Sequence, residues 1–188
     1  MSSPAVPPVF FYDLGDPECY LVAEQITSAL GVVAEWEPVL AKQLGASARP
    51  ADPDGVSVRA AALGLQPVRW PAGWPPDTKR AMLAATYAKR TGRAVSFSLA
   101  AFRQAFAAGR DLSALDTVLI AAAACEMHPS AVIKALDLRS VAEALDAATS
   151  RAAAAEVAEL PAIQIAGRLF TGPRALDMAA AEVGASAG

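Results

Sequence analysis

The stretch that decides the fold is Val9-Phe10-Phe11-Tyr12-Asp13-Leu14-Gly15-Asp16-Pro17-Glu18-Cys19-Tyr20-Leu21. Its first six residues are aromatic, β-branched or aliphatic save for Asp13, the composition of a buried strand. Gly15-Asp16-Pro17 then breaks the pattern. Asp16 is a good N-cap, and Pro17 suits the first helical position because its missing N–H would have no partner there. The helix runs on through Tyr20, Leu21, Ala23, Ile26 and Leu30, and Gly31 stops it. Val32 to Leu40 reads as a second strand. Strand, tight helix and strand make a βαβ unit, with parallel strands and a right-handed crossover.

The far end of the chain returns to β structure. Leu160-Pro161-Ala162-Ile163-Gln164-Ile165 is a strand opened by proline, Ala166-Gly167-Arg168 a tight turn, and Leu169-Phe170-Thr171 the returning arm of a hairpin. Gly172-Pro173 starts a last helix through Leu176 and Met178. Between these ends the sequence is helical. A small, polar segment from about Gly45 to Asp54 is read as a mobile loop, and the Pro-rich run Gln66–Pro76 as extended and irregular. A short helix lies between them, near Ser57 to Leu63. Asp77 caps a helix reaching Arg90. Phe97, Ala101, Phe102, Ala105 and Phe106 give the next one an apolar face. Ser113–Asp116 and Ser140–Glu143 fit the capping-box spacing, each opening a helix. His128-Pro129-Ser130 is a helix break before a short helix to Leu136, and a charged His128 there would favour a helix C-terminus. The sum is an α/β fold. Residues 1–45 and 155–188 form the βαβ and ββα halves, and residues 46–154 form an all-helical insertion between them.

Composition narrows the function. The chain has 188 residues, is 54% hydrophobic, and carries a formal charge of −3, which suits one folded domain and opposes disorder. An acidic chain lacks the electrostatic term behind nucleic-acid binding. Two distant cysteines and one histidine are poor material for a metal site, and none is expected. The N-terminus has no charged and apolar leader pattern, and the longest apolar run, Thr117–Cys125, is well short of the about 20 residues that span a bilayer. A cytoplasmic location without membrane contact, with Cys19 and Cys125 as reduced thiols, is the expectation.

Three segments carry a resemblance. They are the opening stretch just quoted; Arg69-Trp70-Pro71 with Trp74-Pro75-Pro76-Asp77-Thr78 and Phe102 to Arg110; and Leu160-Pro161 with Gly167 to Leu176. In order and spacing the chain resembles the thioredoxin fold in its DsbA-like branch, more narrowly the 2-hydroxychromene-2-carboxylate isomerases and kappa-class glutathione transferases. The resemblance implies glutathione as cofactor, a small aromatic carboxylate or thiol as substrate, and a homodimer. It implies a cis Leu160–Pro161 bond whose backbone meets the bound peptide, with Gly172 and Arg174 in the segment that grips glutathione. It places Asp16 where the family has the Ser or Cys that works on sulfur, and Cys19 where oxidoreductases keep their second cysteine.

Two of these positions depart from the family pattern. A carboxylate at Asp16 satisfies the helix N-terminus itself and repels a thiolate by about 4 kcal/mol at about 4 Å. Arg174 stands where the family has an Asp that holds the amino end of glutathione. Asp16 is thus either a plain cap or a site group, electrostatic or general base. Cys19 is either an inert buried thiol or a lone reactive one. Cys125 reads as core packing, and His128 has no partner for a triad. Trp70 and Trp74 either line a flat pocket or clamp the insertion to the thioredoxin half. Lys42 and Arg49 flank the loop after the second strand, where an anionic ligand would enter. Three readings stay open: a glutathione-dependent isomerase or transferase, a thiol oxidoreductase acting through Cys19, and an inactive ligand-binding relative.

Overall fold

The computed structural model describes residues 6–45 and 52–186. The readings that fell on Met1–Ala5, on most of the Gly45–Asp54 loop and on Arg49 lie outside these residues. Four strands form one mixed sheet in the order β2-β1-β3-β4: β1 (Val9–Tyr12), β2 (Glu35–Pro38), β3 (Ala162–Ile165) and β4 (Arg168–Thr171). β1 pairs parallel with β2, Phe10 facing Trp36, and antiparallel with β3, Phe10 facing Ile163. The β3–β4 hairpin turns at Ala166 and Gly167, whose φ values of 48° and 83° are those of a tight turn that follows the strand twist. This is a thioredoxin-like fold. Between β2 and β3 lie α3 (Pro53–Ala62), α4 (Lys79–Arg90), α5 (Ala94–Phe106), α6 (Leu115–Ala124), α7 (Pro129–Leu136) and α8 (Arg139–Ala154).

The core explains the alanine content. Ala81, Ala84, Ala85 and Ala88 on α4 and Ala101 and Ala105 on α5 are fully or almost fully buried. Methyl-sized side chains let helix axes approach closely, and the bulk is supplied by aromatics at the sheet. Phe10, Tyr12 and Trp36 pack together, with ring centroids 5.2–5.6 Å apart. Tyr12 also meets Phe102 of α5, and its hydroxyl shares a 2.7 Å hydrogen bond with the buried Ser98 Oγ.

Several local readings are corrected. The helix after Asp16 is split into α1 (Pro17–Ala23) and α2 (Ile26–Leu30). Gln25 causes no break by propensity. Instead its Nε2 donates to Leu21 O at 2.8 Å, closing one of the carbonyls that α1 leaves open, while Glu24 turns to a two-point ion pair with Arg103. Gly31 then ends α2 at φ 63°. β2 covers only the middle of Val32–Leu40. Neither capping box forms. Ser113 binds Asp111 and α6 starts two residues later, and Ser140 lies inside α8, where Glu143 pairs with Arg139. Asp77 accepts from Lys79 N, but the N-cap position of α4 is Thr78. His128 sits at the N-terminus of α7, not at a helix C-terminus, and its Nδ1 accepts from Ser130 N at 3.2 Å.

Candidate site at the start of the first helix

The topology gathers most of the expected site residues at one end of the sheet. β1 runs out at Tyr12 into the Asp13–Asp16 turn, and Phe11 is paired with Ala162. Leu160 and Pro161, joined by a cis peptide bond as expected, therefore stand beside the exit of β1. Pro161 O accepts the amide of Gly172 at 2.9 Å, which brings the segment after β4 to the same end. Gly172 has φ 77°, and a Cβ there would lie 3.0 Å from the Glu159 carboxylate, so the position is closed to side chains on two counts. Arg174 follows in the exposed turn before α9 (Ala175–Ser186).

Asp16 caps α1. Its Oδ1 accepts the amides of Glu18 at 2.8 Å and Cys19 at 2.9 Å, while Oδ2 has no hydrogen-bond partner among the described residues. The side chain keeps a partly exposed edge, but the protein around it strips away most of its hydration. That loss pushes the carboxyl up to about 7; the two donated amides work the other way, and the Asp13 charge adds to the rise. Cys19 is fully buried. Burial first, and the neighbouring Asp16 charge second, push its thiol well above the ordinary range. Cys125 is half-buried at the end of α6, with Sγ against the carbonyls of Ala121 and Ala122.

Three residues of this end escaped the sequence reading. Asp13 is buried, and its carboxylate accepts from Gly15 N at 3.0 Å, Ala41 N at 3.1 Å and Thr78 Oγ1 at 3.2 Å. Burial raises its proton affinity while those three donors lower it. The Asp-x-Gly spacing of residues 13–15 is that of an Asx turn and could have flagged Asp13. Gly15 and Thr78 lie in the segments that carry the resemblance, but no motif in the sequence joins one to the other. Trp74 donates from Nε1 to Gly15 O at 3.2 Å and packs edge-on against Trp70, which meets Phe106. Trp74 therefore ties the insertion to the thioredoxin half, and Trp70 packs behind it. Lys42 is exposed. Two surface hollows, about 420 and 390 Å³, open elsewhere, beside Arg80 and Ser113 and beside Glu37 and Lys89. Among the described residues no group of three or more His, Cys, Asp or Glu side chains is arranged to hold a metal, and no helix is long and apolar enough to cross a membrane.

The family model of the DSBA-like thioredoxin domain matches residues 9–184. The chain belongs to this family. Among solved structures, a 2-hydroxychromene-2-carboxylate isomerase superposes with a TM-score of 0.85 at 16% identity, over 97% of this chain and 96% of the other. A probable DsbA oxidoreductase from Streptomyces coelicolor gives 0.78 at 18% identity, over 97% and 90%. The cytosolic disulfide reductase DsbM from Pseudomonas aeruginosa gives 0.67 at 14%, over 97% and 98%. At these identities the likeness is one of fold. A search of the curated proteins found no match. The DSBA-like neighbours thus include both isomerase and oxidoreductase, and the choice between them for this DSBA-like chain falls to its own residues.

Proposed function

We propose that this DSBA-like domain is a thiol-dependent isomerase acting on a small aromatic carboxylate, with glutathione as the thiol and Asp16 as its general base. The observation that carries the reading is Asp16 itself. Oδ1 is held by two amides, Oδ2 is open, and the carboxyl is poised at about 7. A group of that proton affinity can take the S–H proton of a bound thiol near neutral pH. The transfer from a thiol of ordinary pKa, about 8.5, is uphill by about 2 kcal/mol. The resulting carboxylic acid then donates to the thiolate, the part a hydroxyl plays in the family by resemblance. The substrate's ring C–O bond opens to the conjugated ketone, the thiolate adds to its conjugated carbon as the displaced electron pair moves onto the ketone oxygen, the bond that has become single rotates, and the returning pair expels the thiolate, which recovers its proton from Asp16. No net oxidation occurs. The exposed Arg174, which would repel the amino end of glutathione, suits the substrate's carboxylate.

Disulfide exchange fits less well. Cys19 has no exposed surface, its thiol is held protonated, and no cysteine stands at position 16. A second reading, a ligand-binding relative without turnover, draws on the same Oδ1 bonds, because they let Asp16 serve as a cap alone. By resemblance the isomerase reading also carries a cytoplasmic, homodimeric setting. The test is isomerisation of 2-hydroxychromene-2-carboxylate with glutathione from about pH 5.5 to 9.5, for the native chain and Asp16→Asn. We expect a rate above the glutathione-only control, bell-shaped in pH with its acid limb near 7, and its loss in Asp16→Asn. A rate equal to the control at every pH contradicts the reading; binding without turnover selects the second one.

A further inference from the structure

Gly15 is the residue directly before Asp16, and the insertion lies on top of it. Trp74 Nε1 donates to its carbonyl. A Cβ built on Gly15 would lie 2.6 Å from Thr78 Cγ2 and 3.4 Å from Pro76 Cγ. Its backbone is not of the left-handed kind, so glycine is needed here for closeness and not for conformation. What holds Thr78 in place is visible below it. Thr78 Oγ1 donates to Asp13 Oδ2, which also takes Ala41 N, and Asp13 Oδ1 takes Gly15 N. One buried carboxylate thus ties three chain segments: the β1–α1 turn, the turn after β2, and the insertion. The bond to Oγ1 also fixes the rotamer of Thr78, and that rotamer sets its methyl against Gly15.

We propose that Asp13 is a positioning residue that, through the Thr78 hydroxyl, clamps the Trp74–Thr78 segment as a strap over Gly15 and so fixes the wall beside Asp16. The strap is short, proline-rich and half-exposed, and it forms no strand or helix of its own before α4. Its closure depends on a few polar contacts: the Thr78–Asp13 bond, the Trp74–Gly15 bond and the Trp70–Trp74 edge contact. The clamp exists whatever ligand the site takes; its bearing on catalysis rests on the isomerase reading above.

The clamp is read without a ligand, from hydrogen exchange of the Trp74 indole N–H in the full chain. Thr78→Val keeps both branches of the side chain and deletes the donor. We expect about ten-fold faster exchange at Trp74, the scale of one lost hydrogen bond, with core amides such as those of Phe10 and Ile163 unchanged. Thr78→Ser keeps the hydroxyl and restores native exchange. Gly15→Ala drives a methyl into Thr78 Cγ2 and opens the strap. Gly15→Ala combined with Thr78→Ser closes it again, because the colliding atom is gone while the donor remains. Native exchange in Thr78→Val overturns the proposal. So does exchange in Thr78→Ser equal to that in Thr78→Val, or a double variant no better than Gly15→Ala. None of these outcomes depends on glutathione binding, so failure of the clamp and failure of the isomerase reading are told apart.

Discussion

Replacing Asp16 by Asn separates the two things this side chain does. Asparagine is as good an N-cap as aspartate, and its Oδ1 can keep the amides of Glu18 and Cys19. What is lost is the titration. The Asp16 carboxyl rises from an unfolded value of 3.8 to about 7 in the fold. Between those values the native state holds a proton that the unfolded chain has released. Stability is therefore full below 3.8, falls as pH climbs toward 7, and is level above it. A shift of about 3 units corresponds to about 4 kcal/mol at most. Asp16→Asn carries no such penalty. In urea unfolding it should match the native chain near pH 4 and exceed it at pH 8 by up to about 4 kcal/mol, while losing activity. A site group that costs stability in its working form is the usual trade between function and fold. A gap between the two proteins that is the same at every pH, or that favours the native chain at pH 8, refutes the reasoning.

Two further outcomes follow from burial and hydrogen bonding. Under native conditions a thiol reagent should label Cys125 first and leave Cys19 unreacted until the chain unfolds, since one thiol is half-exposed and the other fully enclosed; mass spectrometry of the labelled peptides checks it, and rapid native labelling of Cys19 would revive the oxidoreductase reading. Tyr12→Phe orphans the buried Ser98 hydroxyl and should cost about 1–3 kcal/mol, whereas Tyr12→Phe with Ser98→Ala should cost less than the two single changes summed; additive losses in denaturant unfolding would show that the bond contributes nothing.

The parts of the fold legible in the sequence were those set by short-range chemistry. Val9–Leu14 reads as a strand because its apolar run is short and ends at Gly-Asp-Pro. The hairpin is legible because Ala166-Gly167 must turn tightly. Asp16 and Pro17 mark a helix start by the donors that a first turn leaves open. The failures are places where a side chain chooses between competing partners, near or far in sequence. The capping motif at Ser113 lost to Asp111, which offered the serine a nearer acceptor. That at Ser140 was passed by because α8 starts one residue earlier, at Arg139. The split between α1 and α2 depends on a Gln25 side chain turning back to a carbonyl, and no propensity encodes that choice. In the sequence Asp13 is a polar exception in an apolar strand. Its role needs Ala41 and Thr78, which are 28 and 65 residues away. The site followed the same division. Asp16 was legible as both cap and candidate base, but its poised carboxyl and the strap above Gly15 come from packing that only the folded chain supplies.

The proposed chemistry requires a thiol ligand to sit against Asp16. Calorimetric titration with reduced glutathione, run beside the S-methyl form and Asp16→Asn, tests it most directly. Reduced glutathione should bind in the micromolar to low millimolar range, more weakly when the sulfur is methylated or the carboxyl removed. No heat of binding from a chain that is demonstrably folded, or binding indifferent to both changes, would contradict it.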